Sequence, residues 1–222
     1  MTVPLCAGDH TELWFRLSTP LHERMTMTPD SPAPAAPVPR PLRADARRNR
    51  ERILAAAQAE FAVSGGEAQM DAIAARAHVG VGTVYRHFPT KEALVTQLVR
   101  QRFEEFVTSA RAALEVDDPW EAFASFMHAN AAGCAADAGT QHAVLEGDPG
   151  LGLRMATETG LLDLSQQLID RGQAVGVIRP DFSAEDIGMI MCGLASSMHG
   201  DTTWDWRRHL GFVLDGLRAH PA

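Results

Sequence analysis

Lysine is almost missing from this chain, which holds one, Lys91, against 19 arginines; the bias fits a GC-rich genome more than a mechanism. Cysteine is scarce as well. Cys6, Cys134 and Cys192 stand far apart, with no CxxC and no Cys/His pair at metal-ligand spacing, so neither a disulfide scaffold nor a metal site is expected and a reducing cytoplasm fits best. No apolar run approaches the roughly 18 residues that span a bilayer. The first residues show no charged segment followed by an apolar one, so no signal peptide is expected. An enzyme would have to use His128, His142, Cys134, Glu146 and Asp148, yet no nucleophile elbow, HExxH or phosphate-cradling glycine loop accompanies them. The expectation is a protein with no catalytic residues and no cofactor.

What is present is enough apolar material, 45% of 222 residues, for one or two domains with a real core. The net charge of −8 argues against a nucleic-acid partner until it is divided along the chain. Residues 40 to 102 hold 11 basic and 6 acidic side chains, whereas residues 103 to 222 hold 7 and 18. A basic module is joined to an acidic body, and the average hides it.

Within the basic module the informative stretch is Asp71 to Lys91, DAIAARAHVGVGTVYRHFPTK. Ile73, Ala74 and Ala77 give a first helix, about Met70 to Ala77, one narrow apolar face. His78, Val79 and Gly80 turn the chain, with Gly80 expected to take the costly backbone angle. A second helix, Val81 to Phe88, turns Val84 and Phe88 inward and leaves Gly82, Thr83, Tyr85, Arg86 and His87 outside. That outward set is rich in donors suited to phosphate oxygens and base edges. Pro89 stops the helix. Thr90 caps the next one, which places Lys91 at a helix N-terminus where free N–H groups and an ammonium favour a phosphate. Two short helices joined by such a turn form a helix-turn-helix, whose second helix enters the major groove of duplex DNA.

The run Ile73-Ala74, Ala77-x-Val79, Gly82-Thr83-Val84-Tyr85-x-His87-Phe88, Lys91-Glu92-x-Leu94 resembles the N-terminal domain of TetR-type transcriptional regulators. The resemblance implies that Thr83, Tyr85, His87 and Lys91 face DNA, mostly its backbone, and that Val81, Gly82 and Arg86 help choose sequence. Three positions depart from the family pattern. Gln69 stands where Thr or Ser usually caps the first helix and touches phosphate, His78 where Gly is common, and Gly80 where Ser often precedes the recognition helix.

Before this motif the chain offers little that packs. Residues 1 to 24 lack periodicity, and Met25-Thr26-Met27 would make a natural start, so the first two dozen are expected to be an annotation extension. Pro29 to Pro41 is rich in Pro and Ala, favours extended conformations, and completes an unstructured segment taken to reach residue 42. Six arginines fall within Arg40 to Arg52. Arg43, Arg47 and Arg48 are candidate DNA contacts from an arm beside the helix-turn-helix; the plainer reading is a solvated helix start. Ile53, Leu54, Ala57 and Phe61 then mark a helix ending at Ser64-Gly65-Gly66.

Beyond residue 90 the pattern is helical throughout, with no convincing strand. A helix from Lys91 to Glu115 links two domains, 43–90 and 91–222. Asp118-Pro119-Trp120-Glu121 opens another, to about Asp137. GDPGLG at Gly147 to Gly152 is a break. One long helix is expected from Leu153 to Gly176, then a Ser183/Asp186 capping box opening a helix to Met198, and a Thr202 or Thr203 cap before a last helix through Leu217. The expected fold is all-α, a three-helix DNA-binding domain followed by a helical body.

Two features of the body admit two readings each. Ile187, Met191, Leu194 and Met198 on one helix, with Leu210, Val213, Leu214 and Leu217 on the other, either finish the core of one subunit or form half of a four-helix bundle closed by a second copy. Phe103, Phe106, Phe123, Phe126, Met127, Met155 and Met189 are either core or the walls of a cavity, with Asn130 and Cys134 as its polar groups. The family resemblance implies the second reading in both cases: a homodimer on a DNA operator, responding to a largely apolar small molecule. An architectural DNA binder without an effector is the remaining alternative.

Overall fold

In the computed structural model, residues 40–137, 139–140, 148, 150–198 and 205–219 are described, apart from the side chains of 40–43, 196 and 197. The readings made for residues 1–39, for the caps at 202 and 203, and for His142 and Glu146 fall outside them. Every named element among the described residues is a helix, in agreement with the all-α expectation.

Helix α1 runs from Arg40 to Ser64, so helix begins inside the stretch expected to lack structure. Among its described side chains the buried ones fall in the second half alone, where Ile53, Leu54, Ala56, Ala57 and Phe61 are buried. The basic arm is thus the continuous N-terminal part of a helix. A single 3-10 turn, Gly65–Glu67, leads to α2, Met70–Arg76, and α3, Val81–His87. Between these two the turn departs from expectation. Gly80 has an ordinary extended backbone (φ −69, ψ 143), and His78 takes the left-handed angle instead, with φ 54. A residue with a Cβ holds that angle at a cost of roughly 1–3 kcal/mol, which explains why glycine suits this turn.

Helix α4, Lys91–Leu114, ties the two cores together. Its first half contributes Leu94, Val95, Leu98 and Val99 to a cluster with α1, α2 and α3. Its second half gives Phe106, Val107, Ala110 and Ala113 to the core of the body, and Phe103 packs against both. Helix α5, Pro119–Ala136, runs through the body core and starts as expected, Asp118 Oδ1 accepting from the Glu121 N–H at 2.9 Å.

The long helix expected from Leu153 to Gly176 is two helices, α6 at Leu151–Glu158 and α7 at Leu161–Ala174. Gly160 breaks it with φ 75, a backbone state that apolar periodicity does not register. Near the other end of α7, Arg171 donates to the carbonyls of Leu114 (2.7 Å) and Val116 (2.8 Å), and so closes the C-terminus of α4. Gly172 lies against Ile178; a Cβ there would come within 2.4 Å of the Ile178 Cδ1. Helix α8, Ala184–Ser197, opens on the Ser183/Asp186 capping box. Helix α9, Trp206–Leu217, is capped by Asp205, which accepts from the Arg207 N–H at 2.9 Å.

Burial divides α8 and α9 into two faces. Ile187, Met191, Leu194, Leu210, Leu214 and Leu217 are buried in the core of their own subunit, and Met198 and Val213 pack against it. The six buried ones serve the core of their own subunit, because periodicity marks the drier face of a helix, while Met198 and Val213 are half-buried. The faces they turn outward carry Gly188, Met189, Cys192 and Gly193 on α8, and Arg208, Phe212, Asp215 and Gly216 on α9. Met189 is 70% exposed and Phe212 62%. Met189 is therefore removed from the candidate pocket walls.

Candidate nucleic-acid interface

Helix α3 is fastened by two side chains. Val84 has no exposed surface and Phe88 almost none, while Val81, Gly82, Tyr85 and Arg86 are exposed and Thr83 and His87 partly so. The two sides fall where the spacing placed them. Among the described residues neither the Tyr85 hydroxyl nor the Arg86 guanidinium has a hydrogen bond or ion pair. A Cβ added at Gly82 would meet nothing within 4 Å, so the fold of this chain sets no need for glycine there. The surface of α3 is left to solvent by its own subunit.

Around α3 the expected phosphate contacts fare unequally. Gln69 makes no cap to α2; its Nε2 donates to the Glu67 carbonyl at 2.8 Å. Lys91 donates to the Gly66 carbonyl, and its ammonium lies 5.8 Å from the centre of the Phe61 ring. The lone lysine is thus already joined to the end of α1. At the start of α4, Thr90 Oγ1 accepts from the Ala93 N–H at 3.1 Å. The backbone and then the Thr90 hydroxyl, both bonded to the Glu92 carboxylate, hold it below the usual carboxylate range. That N-terminus is largely satisfied, so the free N–H groups expected beside Lys91 are fewer than the spacing suggested. On α1, Arg47 pairs with Glu51 at 3.6 Å and Arg48 with Asp45; the Arg43 side chain lies outside the described residues. Both pairs are exposed, each worth at most about 1 kcal/mol, so they are easily exchanged for phosphate.

In the body, Phe106, Phe123, Phe126, Met127 and Cys134 come together in one core, with Phe103 at its edge. Asn130 is 3% exposed, and its Nδ2 donates to the Phe126 carbonyl at 2.8 Å. Burial pushes the Cys134 thiol up to about 11. Met155 is elsewhere, in the cluster of α1 to α4. Sequence reading missed Arg102, whose side chain, 13% exposed, pairs with Asp137 and donates to the Gly133 carbonyl at 2.7 Å. No motif announces such a residue, because its partners lie about 30 positions away.

Two helices at a tight turn, the second fixed by an apolar pair and otherwise bare, define a helix-turn-helix protein of the DNA-binding class. Residues 53–98 match the model of bacterial regulatory proteins of the tetR family, and residues 118–219 match the C-terminal domain of SbtR-like transcriptional regulators. A TetR transcription regulatory protein from Mycobacterium vanbaalenii is 36% identical, with a TM-score of 0.55 over 81% of this chain and 100% of that one. A TetR regulator from Streptomyces coelicolor is 30% identical, with a TM-score of 0.53 over 78% of this chain and 99% of that one. The chain belongs to the TetR family of transcriptional regulators. The HTH-type transcriptional repressor KstR of Mycolicibacterium smegmatis is 43% identical over 77 residues, which are 34% of this chain and 38% of that protein. The chain thus spans well under half the length of the curated relatives it matches.

Proposed function

We propose that this protein is a ligand-responsive repressor whose dimer grips a palindromic operator. The observation that carries the reading is the outward face of α3, where Tyr85 and Arg86 have no partner among the described residues and Gly82 has open space around it. Tyr85, His87, Lys91 and the arginines of α1 hold phosphates, while Val81, Gly82, Thr83 and Arg86 meet base edges. Residues 43–90 form the DNA-binding part and 91–222 the effector-binding and dimerisation part. Repression, rather than activation, is the sense favoured by the KstR relatives, named as repressors.

Dimerisation comes from the outward faces of α8 and α9. Glycines at 188, 193, 211 and 216 leave room for a second pair of helices to approach, and Met189 and Phe212 supply apolar area. Two-fold pairing places the two α3 helices about 34 to 36 Å apart, or a multiple of it, on one face of the duplex. An effector seated among Phe103, Phe106, Phe123, Phe126 and Met127 weakens DNA binding only by preferring a state with wrongly spaced α3 helices, and DNA opposes the effector by the same factor. Helix α4 is the connection, since it joins both cores.

Selection of genomic fragments by the purified protein tests the reading. Recovered sites sharing an inverted repeat support it, and fragments with no common motif contradict it. Compounds that release those fragments then identify the effector class.

A further inference from the structure

We propose that Arg50 is a phosphate ligand at the C-terminal corner of the recognition helix, held ready for DNA by its cation–π contact with Phe88. The proposal rests on the docking reading above and adds a residue that the sequence did not single out. Four arginines fall between residues 47 and 52, and three of them have acceptors on their own helix. Arg47 pairs with Glu51, Arg48 with Asp45, and Arg52 donates to Asn49 Oδ1 at 2.6 Å. Arg50 has no acceptor among the described residues; its guanidinium carbon lies 5.0 Å from the centre of the Phe88 ring.

Phe88 is the residue that closes α3. Its N–H donates to the Val84 carbonyl at 2.8 Å, its side chain is buried, and it stands between His87 and the exposed Pro89 and Thr90. A guanidinium over this ring therefore sits at the end of α3 where the chain turns towards Lys91. The five N–H groups of a guanidinium lie in its plane and point outward from the edge. A cation lying over an aromatic ring, with no acceptor and no carboxylate partner among the described residues, is available to a phosphate oxygen. The ring contact also lowers the loss of side-chain freedom when that bond forms. Arg47 and Arg48 must first leave a carboxylate, and Lys91 is held by Gly66. By this comparison Arg50 gives the readier cation of the group.

The distinguishing variants are Arg50→Gln, which keeps a planar amide and removes the charge, and Arg50→Lys, which keeps the charge and loses the planar guanidinium. The probes are a random-sequence duplex and the duplex recovered by fragment selection, each titrated across a range of salt, with the melting temperature of each free variant as control. Arg50→Gln should weaken binding to both duplexes by about the same factor, on the order of tenfold at low salt, and should flatten the log-log salt dependence by about 0.9, the share of one phosphate. Arg50→Lys should restore most of the salt slope with only part of the affinity. A slope equal to the wild type's in Arg50→Gln, or an affinity loss matched by a fall in melting temperature with the slope intact, would overturn the proposal and assign Arg50 to structure. Failure of the wild type to bind either duplex would overturn the docking reading itself, and this proposal with it.

Discussion

Arg102 and Arg171 of the body and Arg86 of the DNA-binding part are used in opposite ways. In the body, Arg102 is buried against Asp137, Arg171 closes the end of α4, Arg179 is clamped on Asp181 and Arg154 on Asp148. Arg102 and Arg171 join distant segments of the fold, whereas the Arg179 and Arg154 pairs are local and exposed. In the DNA-binding part Arg76 joins α2 to Glu60 of α1, but Arg86 on α3 has no partner among the described residues and Arg50 only an aromatic ring. The body also has such arginines, since Arg111 has no hydrogen bond or ion pair among the described residues and Arg207, Arg208 and Arg218 lie only over aromatic rings, so it is position on α3, and not lack of a partner alone, that marks Arg86. The difference separates arginines that join distant parts of this chain from one whose N–H groups are left to solvent.

The largest expected effect follows from removing a body arginine. Arg102→Ala leaves the Asp137 carboxylate, nearly buried and also accepting from Thr140, without its cation, which should cost about 3–5 kcal/mol in urea unfolding. A cost below about 0.5 kcal/mol, the size of an ordinary surface change, would erase the contrast.

Glycines sharpen the same contrast. Gly172→Ala forces a Cβ against Ile178 and should destabilise by about 1–3 kcal/mol. Gly82→Ala has open space and should leave stability equal or raise it by up to about 1 kcal/mol, while altering the sequences selected from a fragment library. Chemical unfolding and repeated selection measure the two halves. In the turn before α3, His78→Val should lower stability by about 1–2 kcal/mol, and His78→Gly should not, because the left-handed angle penalises a branched side chain.

The smallest effect concerns Cys134, whose thiol burial holds protonated well beyond the usual range. Its folded value lies above its unfolded one, so its contribution is whole below the ordinary thiol range and is lost as pH rises towards about 11. Urea unfolding at increasing alkaline pH should show this loss in the wild type and a shallower one in Cys134→Ala.

What the sequence made legible was local. Caps at Thr90, Asp118 and Ser183 depend on neighbours three residues away, and the two faces of α3 on a period of 3.6. The division of Leu153–Gly176 at Gly160 was not legible, since a glycine inside an apolar pattern is compatible with both a helix and a break. The outward face of α8 and α9 escaped for a related reason. Apolar periodicity finds the face that one subunit buries, so Ile187, Leu194 and Leu214 stood out, while Gly188, Gly193 and Gly216 formed no pattern. Arg50 and Arg102 gain their meaning from residues about 35 to 38 positions away, which spacing does not reveal.

The central claim is that the bare side of α3 meets DNA and does nothing for its own subunit. Its most direct test is the affinity of Tyr85→Ala and Arg86→Ala for the selected duplex, measured beside the melting temperature of each variant. The account predicts losses of about 1–3 kcal/mol in binding, roughly tenfold or more, with melting temperatures close to the wild type's. Unchanged affinity in both variants, or losses that follow a drop in melting temperature, would contradict it.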